Sequence, residues 1–209
     1  PIYSQYMFNE YFINSAYGGT YYFTPVFINH RNQWIGFGDS APQTSSFSLH
    51  SAIGEKSALG TSMIYDKTGP INRTQLEMSY GYHIVLGNRN NLILSMALSG
   101  TWNMLQFTYQ ENSTYSEMTS GIIDNINQTN ENSSDADVNF GMILLHNYFD
   151  IGFSVRNLLA PEPNQASEID KINRVKYILI HGSFLGANNE NSPIGIIPSF
   201  TMRKMGIIS

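Results

Sequence analysis

The residues able to do chemistry in this chain are few and scattered. Five histidines, His30, His50, His83, His146 and His181, stand far apart. None forms the HExxH or i,i+4 pairing that sets two imidazoles around a metal. No cysteine is present, which excludes a zinc ribbon, a catalytic thiol and a disulfide scaffold. Ser, His and Asp are available for a nucleophilic triad, but no GxSxG elbow exposes a serine. The stretch from Asp124 to Asp135 has the composition of a calcium loop but lacks its glycine and terminal glutamate. The glycines near Phe37 and Gly87 lack the spacings that cradle a phosphate. Sequons at Asn72, Asn112, Asn127 and Asn132 follow from a composition rich in Asn, Ser and Thr. The sequence therefore assigns no catalytic residue, metal or cofactor. What remains is a set of ionisable residues, Glu77, His83, Asp150 and Arg156, whose chemistry is that of an internal ion-paired network or of a path for ions.

The elements that position this set are strands. From Leu76 to Leu86 the residues Leu76, Met78, Tyr80, Tyr82, Ile84 and Leu86 alternate with Glu77, Ser79, Gly81, His83 and Val85. A helix would wind these onto all sides, whereas successive side chains oppose one another only in a strand. A tight turn at Gly87-Asn88-Arg89-Asn90 leads into a second alternating run. There Leu92, Leu94, Met96, Leu98, Trp102 and Met104 oppose Ser95, Ala97, Ser99, Thr101 and Asn103. The same period places Phe47 and Leu49 opposite Ser46, Ser48 and His50, and Leu59, Met63 and Tyr65 opposite Ala58, Gly60 and Ser62. It places Phe149, Ile151, Phe153 and Val155 opposite Asp150, Gly152, Ser154 and Arg156. Glu77, His83, Asp150 and Arg156 thus share the polar side. About eight strands are expected from residue 44 onward, with a long polar loop at 109–136 and another near 160–173. Pro198, in the last strand, is expected at an edge, a bulge or a rim.

Composition narrows the class. The chain has 209 residues, a charged fraction of only 13% and a net charge of -5. That balance argues against a nucleic-acid binder, and the abundance of Tyr and Phe argues against disorder. No apolar run approaches the length of a membrane helix. A mean hydropathy of -0.21 resembles that of a soluble protein. A transmembrane β-barrel hides its lipid contact from such an average, because lipid-facing residues alternate with lumen-facing ones. The alternating runs also outlast the usual soluble strand of about five or six residues and suit the roughly nine to eleven that cross a membrane at a tilt. The opening PIYSQYMFNE carries neither a basic nor an apolar leader region, which decides nothing about destination. The expected organisation is an aromatic-rich N-terminal segment at 1–43, periplasmic or packed in the barrel, followed by a partial barrel at 44–209.

Five blocks in order resemble the PorP/SprF family of the type IX secretion system. IYSQYMFNEYFINSAYGGT is similar to the family's opening, with Ser15 where proline is usual and Gly18 where alanine is usual. Arg31, Asn32, Gln33, Trp34, Gly36, Phe37, Ala41 and Pro42 match its RNQW block. Asp66, Lys67, Gly69, Pro70, Asn72, Thr74, Ser79 and Tyr80 match its DK-GP block. Residues 137–161, including Asn157, and the IIPSF stretch with Pro198 complete the resemblance. It implies an all-β, antiparallel outer-membrane β-barrel, of about fourteen strands in the family, and a chain shortened relative to its relatives. It also implies a non-enzymatic role in the secretion and gliding machinery, supporting export or surface anchoring of adhesin-type proteins. The implied partners are other type IX components, a secreted adhesin with a C-terminal sorting domain, and outer-membrane lipid. Arg31 and Trp34 are expected to make a fixed structural contact, since guanidinium and indole pair well. The alternatives are a diffusion channel lined by Glu77, His83, Asp150 and Arg156, and a soluble β-sandwich.

Overall fold

The computed structural model describes residues 9–34, 36, 41–86, 92–107, 131–159, 176–184 and 198–205. Two short 3-10 turns, Glu10–Phe12 and Ser15–Tyr17, precede nine strands. These are β1 (Val26–Asn32), β2 (Gln43–Ile53), β3 (Ser57–Thr68), β4 (Ile71–Leu86), β5 (Leu92–Phe107), β6 (Glu131–His146), β7 (Phe149–Arg156), β8 (Tyr177–Phe184) and β9 (Ser199–Met205). Each strand pairs antiparallel with the next, in sequence order from β1 to β9.

The sheet is open. β1 and β9 sit at its two edges and do not pair with each other, so the closed transmembrane barrel expected from the sequence is not what forms. The eight strands expected from residue 44 onward are β2 to β9, and the one that was not foreseen, β1, lies inside the stretch read as an N-terminal segment. Its side chains turn from Val26 and Ile28 to His30 and Asn32 along one face, so no apolar alternation announces it. β6 likewise starts at Glu131, inside the expected loop, and pairs with β5 from Phe107↔Glu131 to Leu92↔His146. The turn at residues 87–90 and the loop at 160–173 lie outside the described residues.

The two faces have inverted character. Ser46, Ser48, His50, Ser62, Glu77, Ser79, His83, Ser95, Ser99, Thr101, Asp137, Asn139, Asp150, Ser154 and His181 are buried. Their neighbours Leu59, Met63, Leu76, Met78, Tyr80, Tyr82, Leu98, Trp102, Met142, Ile151 and Ile180 are exposed. A soluble sheet buries its apolar side, since removing that area from water drives folding. Here the polar face is the covered one, and what covers it is the N-terminal stretch 9–19 rather than closure of the sheet on itself. The apolar core is correspondingly small, centred on Ala16, Tyr17, Ala97 and Ile143.

Turn chemistry fixes the hairpins. Thr68 pairs with Ile71 across a two-residue loop, in which Gly69 has φ +57°. A positive φ at the first loop residue followed by proline, whose ring holds φ negative, is the combination of a type II′ turn, whose twist matches that of the flanking strands. The Asp66-to-Pro70 block is in this sense a hairpin instruction.

Candidate functional site on the polar face

The polar face holds residues 9–19 as a bound peptide. Sheet side chains reach its backbone carbonyls: Arg156 Nη1 donates to Phe12 O at 2.6 Å, Ser154 Oγ to Ile13 O at 3.1 Å and Ser95 Oγ to Ala16 O at 2.6 Å. Segment side chains reach back. Asn9 Nδ2 donates to Ser48 Oγ at 2.6 Å, and the Tyr11 hydroxyl bonds Ser79 Oγ at 2.6 Å. The Tyr17 hydroxyl donates to Asp150 Oδ2 at 2.9 Å, and Ser183 Oγ donates to the other carboxylate oxygen. Polar groups taken from water are costly unless bonded, and this interior meets most of that demand through the segment.

Asn14 is the centre of the docking. Its Oδ1 accepts the Ala16 N–H at 3.0 Å, which orients the amide. Its Nδ2 then faces Met142 O at 3.0 Å, Phe153 O at 3.2 Å and His181 Nε2 at 3.1 Å. Glycines make the room. A Cβ at Gly141 would overlap the Asn14 amide, and one at Gly60 would lie 2.5 Å from the Tyr11 hydroxyl. The inward Gly, Ala and Ser residues are slots for a peptide.

The four ionisable residues divide into two places. Glu77 and Arg156 meet, with Nη2 to Oε2 at 2.5 Å and side chains only 6% and 11% exposed. Ser99 Oγ donates to the second Glu77 oxygen at 2.7 Å. Arg156 therefore ties β4, β7 and the segment together. Asp150 stands apart with Tyr17, Ser183 and His181. His83 is buried on the same face, and its Nε2 has no hydrogen-bond partner among the described residues. Glu10, on the segment, is pushed up to about 7, first by burial and then by the Asp150 charge, against a lowering bond from Tyr21. Burial likewise pushes the Tyr11 and Tyr17 hydroxyls up. Composition gave no signal for Asn14, Tyr17 or His181 as members of this site, because their partners are more than a hundred residues away along the chain.

The motif residues gather elsewhere, at one end of the sheet. Odd-numbered strands end there, which brings together Arg31 to Trp34 at the end of β1, Asp66 to Pro70 at the β3–β4 hairpin and Asn157 after β7. Arg31 and Trp34 are both exposed. The Gln33 carboxamide, with its oxygen turned inward, accepts from the Arg31 guanidinium. Asn157 has φ +57°. Its N–H donates to Asn139 Oδ1 at 2.9 Å, and the Leu159 N–H donates to Asp137 Oδ1 at 2.9 Å. The turn that leaves β7 is thus pinned to β6. Gly36 adjoins this end, and Pro198 lies at the opposite one, just before β9, where its carbonyl accepts the Phe184 N–H at 3.0 Å. Across the motif-bearing end runs a row of paired polar residues, Asn32, Gln43, Lys67, Asn72, Gln106 and Asn132.

Among the described residues no group of three or more His, Asp or Glu side chains could hold a metal ion, and no helix is long and apolar enough to cross a membrane. No curated protein and no solved structure matches the chain. A family model does match, that of the type IX secretion system membrane protein PorP/SprF, over residues 1–206, and the chain belongs to that family.

Proposed function

We propose that the chain is a non-enzymatic outer-membrane component of the type IX machinery that serves as a docking platform for export or surface anchoring of adhesin-type proteins. The observation that carries this reading is the family match over nearly the whole chain. The inverted faces support the membrane setting: exposed Leu, Met, Tyr and Trp suit lipid, where charge is costly, and Glu77, Asp137, Asp150 and Arg156 lie on the covered side.

A diffusion channel lined by Glu77, His83, Asp150 and Arg156 is disfavoured, because residues 9–19 cover the polar face and Glu77 and Arg156 neutralise each other at 2.5 Å.

The test is a detergent pull-down of the native protein followed by mass spectrometry. Recovery of type IX components and of a surface adhesin with a C-terminal sorting domain is the expected result. Recovery of neither overturns the reading.

A further inference from the structure

Two histidines touch the docked segment in the same chemical role. The Gly19 N–H donates to His50 Nδ1 at 3.2 Å, so that nitrogen is unprotonated. Asn14 Nδ2 faces His181 Nε2 at 3.1 Å. An amide nitrogen cannot accept, and turning the Asn14 amide over would lose the Ala16 N–H and set like groups together, so His181 Nε2 carries no proton and shares the two amide protons with the Met142 and Phe153 carbonyls. The remaining nitrogen of His181 then donates to the Tyr17 hydroxyl at 3.4 Å, and Tyr17 donates onward to Asp150 at 2.9 Å. Both imidazoles are neutral tautomers fixed by the peptide they hold. An imidazolium at either position would point an N–H at another N–H.

We propose that residues 9–19 are latched to the polar face by two neutral imidazoles, His50 and His181, so that acidification unlatches the segment. The proposal builds on the reading of this face as covered by its own segment and does not depend on which secretion component docks outside.

The surrounding groups set the balance. His50 faces the Tyr11 ring at 4.9 Å and the Tyr21 ring at 5.6 Å. His181 faces the Tyr17 ring at 5.5 Å, and the Asp150 carboxylate stands beyond it, at 2.9 Å from the Tyr17 hydroxyl. His83 is buried on the same face, on β4. Glu10 acts in the opposite direction, since its carboxyl docks more readily protonated. Glu77 and Arg156 form a closed pair on the same face.

The experiment is hydrogen exchange read by mass spectrometry on the full chain in detergent, each rate divided by the intrinsic chemical rate at that pH. Glu10→Gln removes the opposing titration. In that background, one histidine of ordinary pKa about 6.5 that must stay neutral weakens docking about 30-fold between pH 7.5 and 5.0. Protection of residues 9–19 is expected to fall by at least that factor. His50→Asn and His181→Gln place a non-titrating acceptor near the original nitrogen, and adding both should abolish the fall. Unchanged protection in Glu10→Gln, or an undiminished fall after both replacements, overturns the proposal. Should the variants fail to fold, nitrogen NMR of the wild-type imidazoles decides: a proton on His50 Nδ1 at neutral pH overturns it. None of these outcomes depends on the pull-down.

Discussion

Removing Arg156 should cost more than the hydrogen bonds it makes. Its guanidinium holds Glu77 Oε2 at 2.5 Å and Phe12 O at 2.6 Å. Arg156→Ala leaves the Glu77 carboxylate, 5% exposed as a residue, with Ser99 as its hydrogen-bond donor and no counter-charge. Breaking a buried pair from one side costs about 3–5 kcal/mol, whereas replacing both partners by neutral groups of similar size is often near neutral. The double variant Glu77→Gln with Arg156→Met should therefore lie within about 2 kcal/mol of the parent. The residual loss comes from the Phe12 carbonyl. Unfolding in urea, in detergent at fixed pH, gives the stabilities of the parent, Glu77→Gln, Arg156→Met and the double variant, and the slope checks that the unfolded state has not changed. A coupling of at least about 2 kcal/mol between the sites is expected. Simple additivity, with the double variant as unstable as the sum of the two singles, would refute the view that the pair is one desolvated unit.

Gly141→Ala should expel Asn14, since the new methyl overlaps its amide. Loss of bonds worth about 1 kcal/mol each should open residues 9–19 to limited proteolysis while leaving the β5–β6 ladder protected. Glu10 gives a pH dependence of known sign. Its folded value of about 7 lies above the ordinary 4.5, so its contribution to docking is complete below about 4.5 and is lost as pH rises through 7. With both histidines replaced by non-titrating acceptors, protection of 9–19 should fall over that range, and Glu10→Gln should flatten it. Asn157→Ala should lower the melting midpoint through a strain of about 1–2 kcal/mol at φ +57°. Asn157→Gly should lose less than Asn157→Ala, because glycine adopts this φ without strain and the backbone bond to Asn139 remains.

Alternation made the middle of the sheet legible. Leu76 to Leu86 and Leu92 to Met104 announce both their strands and their faces, because one side is apolar and the other is not. Where both sides are polar the signal vanishes: residues 131–136 pair with β5 yet look like loop. β1 is hidden for a related reason, its exposed face changing from Val26 and Ile28 to His30 and Asn32. The shared face of Glu77 and Arg156 follows from parity, but their contact does not, since β4 and β7 are not neighbours in the sheet. That contact depends on the reach of an arginine across β5 and β6. The docked segment has no period because its side chains answer glycine slots and polar side chains scattered from β2 to β8. The barrel was read from the long alternating strands as well as from the family resemblance, and its closure is the part that the fold overturned.

The polar row at the motif-bearing end has a mechanical consequence. β4, β5 and β6 each run 16 residues, about 50 Å of strand. At a tilt of about 45° that is roughly 35 Å of height, against an apolar band of about 25 Å. Set in lipid, some 10 Å of hydrogen-bonded sheet stands clear of the bilayer as a stiff parapet. A load applied there parallel to the strands pulls along them, not across them. The cross-strand bonds of the central ladders then resist together in shear, instead of opening one after another like a zip.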